Sequence, residues 1–349
     1  MKNRKGSITA CLLGGALGDA LGYEVEFSSW PAIQARFGKN GIRQLSLEDG
    51  KARFSDDTQM TLFTAEGLCL AADRGEEAVT GIHQAYLCWL QTQGYPSNTP
   101  YAPLSALLPL PELNRLRAPG NTCLSALCSG SMGTLERPIN HSKGCGGVMR
   151  TAPCGLVRRE GRRGEPFGDP LLLGAGAAAV THGHPLGWIP AGMLADLTDR
   201  CVYGSYSSLR QLAEDSLAAT VRAFADHEEI VPFEALIRRA MALAERPVEK
   251  ARETAEVDEP AIRSLGQGWV GEEALAIALY AALRYDGDLK AALIAAVNHG
   301  GDSDSTGAIC GNILGAWLGM DAIPADWAGQ LELRQEIEDL AARLERLTE

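Results

Sequence analysis

The sequence predicts an all-α protein, a compact single-domain helical bundle over residues 1–349. Alanine, leucine and glycine dominate its periodic segments, and runs of alternating Val, Ile and Thr that would mark strands are scarce. Hydrophobic residues make up 46% of the chain and charged residues 22%, the balance of a globular protein with a sizeable core. Apolar spacing places helices over residues 7–21, 58–72, 76–91, 171–181, 189–203, 209–227, 233–244, 272–285, 288–298, 306–318 and 328–347. Two stretches read as surface excursions. Residues 94–121 contain Pro96, Pro100, Pro103, Pro109, Pro111 and Pro119, too many for a helix, and residues 158–170 are polar and glycine-rich.

The formal charge of −12 argues against a protein that grips nucleic acid through its phosphates. Nine cysteines without a C-x-x-C pair, in a chain this long, predict small reduced side chains rather than a zinc site or a disulfide framework. Lys2, Arg4 and Lys5 before an apolar run from Ile8 to Leu17 mimic a signal peptide, and Cys11 a lipoprotein site. The glycines of that run and Asp19 behind it argue against both. No segment approaches the roughly 20 apolar residues of a membrane span. A cytoplasmic location is expected.

The strongest local signal is Asn298-His-Gly-Gly-Asp302-Ser-Asp304-Ser-Thr306 leading into an apolar helix. Two carboxylates at a helix start are favoured by the dipole, and one would serve as a cap. Phe54-Ser55-Asp56-Asp57-Thr58 repeats the design far upstream. Two such helix starts, with oxygen donors and neither His nor Cys among the acids, point to a hard cation, Mg²⁺ or Mn²⁺. Four carboxylates can balance two divalent ions, which suggests a two-metal centre if the fold brings the pairs together. Asp302-x-Asp304-x-Thr306 also matches the nucleophile motif of haloacid dehalogenase phosphatases. That motif needs a buried parallel strand, whereas residues 290–297 are alanine-rich and read as helix.

Near the N-terminus a glycine-rich run from Gly14 to Gly22 allows close helix packing and ends in a loop carrying Glu26. Apolar neighbours there would raise its pKa toward acid–base use. Lys143-Gly-Cys-Gly-Gly-Val-Met-Arg150 is a glycine cluster whose backbone N–H groups could receive a diphosphate. His182, at a helix end in Thr181-His182-Gly183, would ordinarily be a capping or core residue.

In this order, Gly18-Asp-Ala-Leu-Gly22 with Glu26, Ser55-Asp-Asp-Thr58, Gly144-Cys-Gly-Gly-Val-Met-Arg150, Thr181-His182 and Gly300-Gly-Asp-Ser-Asp-Ser305 resemble the ADP-ribosylglycohydrolase family. The resemblance implies a compact all-α fold with two Mg²⁺ or Mn²⁺ ions. Their ligands would be Ser55, Asp56 and Asp57 from one helix start and Asp302, Asp304 and Ser305 from the other. It further implies that Glu26, with Asp56 or Asp57, moves the catalytic proton. Gly144, Cys145, Gly146, Gly147, Val148, Met149 and His182 would line the ADP-ribose seat, although many members carry asparagine or another polar residue where Cys145 stands. The expected activity is removal of ADP-ribose from a modified protein. Arginine is the favoured linkage, because the Asp-Ser-Asp-Ser form resembles arginine-directed members. Serine-linked or other ADP-ribosyl compounds, a non-catalytic ADP-ribose binder and a nucleotide phosphoesterase are the alternatives.

Overall fold

The computed structural model describes residues 6–157, 167–245 and 255–348. Lys2, Arg4, Lys5 and residues 158–166 of the second excursion lie outside the described residues. Fifteen α-helices are present among the described residues, with no strand beyond three isolated bridges. The α prediction therefore holds.

Two helices form the axis of the bundle. Helix α1 (Ser7–Gly22) and helix α13 (Ser303–Leu318) are buried almost all round, as their apolar, glycine-rich sequences require. They pack antiparallel at a separation that only glycine tolerates. A Cβ on Gly14 would sit 2.4 Å from the Gly311 carbonyl oxygen, one on Gly18 2.0 Å from that of Gly307, and one on Gly22 2.2 Å from that of Ser303. This register carries the C-terminal end of α1, and the Glu26 loop after it, onto the N-terminal start of α13.

Around the axis lie helical hairpins. Helices α3 (Asp56–Arg74) and α4 (Ala78–Thr92) are joined by Gly75 in the left-handed conformation, and Glu77 caps α4 through the amides of Val79 and Thr80. Helices α6 (Pro170–Ala179) and α7 (Pro185–Tyr203) each begin with proline at the first helical position, behind Asp169 and His184 caps. That cap starts α7 at Pro185, four residues before the expected Ile189. Helices α8 (Leu209–Ala223), α9 (Ile230–Ala244), α11 (Gly271–Arg284) and α12 (Leu289–Val297) complete most of the packing.

Three helices went unread: α2 (Trp30–Phe37), α5 (Asn121–Cys128) and α10 (Ala255–Leu265). The first two have eight residues each, too short to show a period, and Pro260 interrupts the third. The single helix expected over 328–347 is broken into α14 (Ala325–Gln330) and α15 (Arg334–Arg346). Leu333 adopts φ 49°, and the intervening chain bonds to Ala52 through Ala52 N to Gln330 O and Glu332 N to Ala52 O.

The first proline-rich excursion is less superficial than expected. Tyr101, Leu107 and Leu113 are buried, and buried Glu66 of α3 accepts hydrogen bonds from Ser105 Oγ and the amides of Ala106 and Leu107. Its far end reaches the acidic start of α3.

Candidate active site

Helix α3 begins where Ser55 Oγ accepts from the Asp57 amide at 3.2 Å, a cap worth about 1 kcal/mol. The chain leading into it is pinned from several directions. Arg117 donates to Phe54 O at 2.9 Å and forms a buried ion pair with Glu332, which also accepts from the Phe54 amide. The Asp56 amide donates to Arg117 O, and Asp56 Oδ2 accepts from Gly120 N at 3.1 Å. Asp56 is thus oriented by backbone groups at both of its ends.

Helix α13 begins similarly. Asp302 is its N-cap, accepting from Ser305 N at 3.3 Å, while Asp304 accepts the same amide at 2.9 Å. Gly301 lies against Gln267, whose carbonyl accepts the Asp302 amide at 2.8 Å. At α3 the cap is the Ser55 hydroxyl, so capping uses neither Asp56 nor Asp57. At α13 Asp302 and Asp304 share a single amide, which leaves most of their oxygen lone pairs for other work.

The fold brings these starts together. One carboxylate oxygen from each of Glu26, Asp302 and Asp304 lies within 4.8 Å of the other two. Glu26, read from sequence as a proton carrier only, thus joins the cluster itself. Asp57 and Asp56 stand beside this triad and feel the charge of Asp304. Burial, reinforced by Asp304 and Asp302, pushes Glu26 up to about 11. Burial also holds Asp56, Asp57 and Asp302 well above the carboxylate range, with Asp304 the foremost charged neighbour of each.

Asp304 is therefore the hub of the repulsion. Among the described residues, Glu26 Oε2, Asp57 Oδ2 and Ser305 Oγ are buried with no hydrogen-bond partner. Buried polar atoms are normally satisfied, so crowded carboxylates with free donor atoms fit a bound cation.

The Glu26 loop is fastened from outside. Phe27 sits at φ 62°, uncommon for an aromatic residue, and its largely exposed ring stacks on Trp269 with centroids 5.3 Å apart. Trp269 O in turn accepts from the Cys145 amide at 3.1 Å. Clefts of about 350 Å³, lined by Tyr23, Glu24, Arg53 and Arg115, and about 470 Å³, lined by Trp30, Arg263, Gln267 and His299, adjoin this region.

The glycine loop forms a short 3₁₀ turn over Cys145–Gly147. It differs from the open row of donors expected from sequence. The Val148 and Met149 amides donate to Cys145 O, Gly147 N donates to Gly144 O, and Gly144 N donates to Ser142 Oγ. Val148 and Met149 point into the core. Beneath the loop, buried His182 lies 3.3 Å from where a Gly144 Cβ would be and 3.2 Å from a Gly146 Cβ. Its Nδ1 bonds Thr181 Oγ1 at 2.8 Å, and that hydroxyl accepts from buried Arg150 at 2.6 Å. Burial, with Arg150 nearby, depresses His182 to about 3, so it supports the loop as a neutral ring.

The ADP-ribosylglycohydrolase family model matches residues 1–349. The chain belongs to the ADP-ribosylglycohydrolase family. It is 27% identical to the ADP-ribosyl-[dinitrogen reductase] glycohydrolase of Rhodospirillum rubrum, over 93% of this chain and 90% of that protein. It is 24% identical to the ADP-ribosylhydrolase ARH3 of Danio rerio, over 95% of this chain and 88% of that one. Among solved structures, an ADP-ribosylglycohydrolase-related protein complex superposes on all of both chains with a TM-score of 0.67 at 27% identity.

Within this ADP-ribosylglycohydrolase, sequence reasoning gave Asp19 no role. The structure places it, fully buried, under the start of α3, accepting from Ser55 N at 2.8 Å, Thr58 N at 2.9 Å and Thr58 Oγ1 at 2.5 Å. An acid inside an otherwise apolar glycine helix was the available signal. Burial, then Asp304, raises Asp19 from 3.8 to about 7 against the pull of these hydrogen bonds.

A folded-state pKa above the unfolded one adds stability at low pH that is lost as pH rises. The Asp19 contribution is present below about 4 and disappears by about 7. Glu26, Asp56, Asp57 and Asp302 act in the same direction. A cation held by these acids would displace their protons, so any gain in Tm on adding a divalent cation to EDTA-treated protein is expected to grow as pH increases across that window. Differential scanning fluorimetry checks this. A gain that is flat or shrinks with pH would contradict it.

Proposed function

We propose that this ADP-ribosylglycohydrolase is a metal-dependent hydrolase that cleaves the bond between C1′ of ADP-ribose and a modified protein side chain, arginine foremost. The observation that supports this reading most is the meeting of Glu26, Asp302 and Asp304 beside Asp57, with donor atoms unused. Oxygen donors alone suit Mg²⁺ or Mn²⁺. Ser55, Asp56 and Asp57 from one helix start, and Asp302, Asp304 and Ser305 from the other, would hold two such ions. Bound there, the ions would offset the acidic charge and fix the ribose hydroxyls that orient C1′.

The protein's own groups carry the rest. With that acidic charge offset, Glu26 would stand ionised and take the proton of the attacking water at Oε2, the atom the fold leaves free, with Asp56 and Asp57 flanking it in the same role. The C1′–nitrogen bond breaks through an oxocarbenium-like state as the water oxygen bonds to C1′, and the proton on Glu26 passes to the departing guanidine nitrogen. The turn from Gly144 to Gly147, backed by Val148, Met149 and His182, forms a seat with little side-chain bulk for the diphosphate. An acidic cleft attracts the guanidinium of an arginine linkage, and the name of the Rhodospirillum rubrum relative agrees with a protein substrate.

Incubation with Mg²⁺ and an ADP-ribosylated arginine protein is expected to release intact ADP-ribose, and EDTA to stop the release. AMP or phosphate as product would indicate a phosphoesterase instead. Faster release from serine- or cysteine-linked substrates would reassign the leaving group.

A further inference from the structure

Arg150 follows the glycine loop, and its guanidinium is fully buried with no carboxylate paired to it among the described residues. It touches Met60 Sδ at 3.4 Å, Cys123 Sγ at 3.2 Å and the Tyr86 ring at 4.4 Å, and its Nε has no partner. A guanidinium buried without a counter-charge is costly, which argues for a role beyond packing. The sulfur that it touches also lies 3.0 Å from where a Gly146 Cβ would be, so a single atom links the charge to the loop.

The same guanidinium acts on His182 through Thr181. Arg150 Nη2 donates to Thr181 Oγ1 at 2.6 Å, and an arginine cannot accept in return, so the one hydroxyl proton goes elsewhere. His182 Nδ1 stands 2.8 Å from that oxygen. The rival acceptor, Cys123 Sγ, is a weak one and already receives Arg150 Nη1. The proton therefore points to Nδ1, which leaves the neutral ring with its own proton on Nε2. Nε2 lies 3.3 Å from the position of a Gly144 Cβ and 3.4 Å from that of a Gly146 Cβ, with no hydrogen-bond partner among the described residues.

We propose that Arg150 is the positioning residue of the diphosphate seat. Acting through Thr181, it fixes His182 as the Nε2–H tautomer and so aims a donor, backed by a buried positive charge, at an anion held on the turn from Gly144 to Gly147. That donor supplies what the turn's largely paired amides do not. The inference rests on the ADP-ribose reading above.

The test uses the full chain with histidine nitrogens labelled for NMR, the His182 signals being those missing from His182→Gln. Wild type is expected to carry the proton on Nε2 and to show an unprotonated, hydrogen-bonded Nδ1. Thr181→Ser should keep that signature and Thr181→Val should lose it. Calorimetric titration should find ADP bound roughly tenfold more weakly by Thr181→Val and Arg150→Met than by wild type and Thr181→Ser, with adenosine affinity changed less than about twofold. If Arg150→Met does not fold, Thr181→Val decides alone, since it exchanges one buried hydroxyl for a methyl. A proton on Nδ1 in wild type, or ADP affinity indifferent to Thr181→Val, overturns the role of Arg150 and leaves the hydrolase reading standing. Wild type that binds neither ADP nor ADP-ribose overturns both.

Discussion

The Asp304→Ala protein is expected to lose turnover by about a thousandfold or more while keeping its helical fold. A metal centre supplies several kcal/mol of transition-state stabilisation, and about 4 kcal/mol corresponds to that factor. Asp304 is the residue to remove because it is both a member of the close triad and the foremost charged neighbour of Glu26, Asp57, Asp19 and Asp302. Removing it relieves like-charge repulsion. The metal-free variant should therefore melt above metal-free wild type, although its activity is gone. That opposition separates a ligand role from a structural one, since loss of a supporting residue lowers both quantities. Rates of ADP-ribose release, circular dichroism and melts in EDTA give the comparison, and activity within about tenfold of wild type would sink the proposed centre.

The second large effect is expected at Gly18. A Cβ there would sit 2.0 Å from the Gly307 carbonyl oxygen and 2.4 Å from its carbon. These are backbone atoms of a buried helix and cannot swing aside, so α1 and α13 must separate. Overpacking ordinarily costs about 1–3 kcal/mol. With main chain as the obstacle on both sides, Gly18→Ala should reach at least about 3 kcal/mol, roughly a hundredfold in the folding equilibrium. Separation also moves Asp302 and Asp304 away from the Glu26 loop, so metal affinity should fall in whatever protein folds. Gly287→Ala, where no atom lies within 4 Å of the added carbon, is the control. Equal denaturation midpoints for the two variants would refute this account of the axis.

Helical class and the long apolar helices were legible because their period depends on burial along one chain segment. The helix starts at Ser55 and Asp302 were legible for a similar reason, since capping is local chemistry. What the sequence could not show depends on contacts between distant segments. Asp19 looked like an interruption of an apolar run, and only the fold reveals the Ser55 and Thr58 donors beneath which it lies. Arg117 and Glu332 are ordinary surface residue types by composition, yet they form a buried pair that fixes the approach to Asp56. Leu333 breaks the last predicted helix because its neighbours bond to Ala52, a partner no periodicity can register. The glycine cluster was found by composition, but whether its amides were free depended on turn geometry.

The antiparallel seam of α1 and α13 also sets a temporal order. Its two strips of glycine come from opposite ends of the chain, so a ribosome releases one strip long before its counterpart exists. Until then the apolar surface of α1 has no mate, and the acids that gather beside it have no centre to form. The proposed divalent-ion site should form in a single late step, once α13 has emerged. Nascent chains arrested before Asp302 should consequently be clients of chaperones rather than weak enzymes.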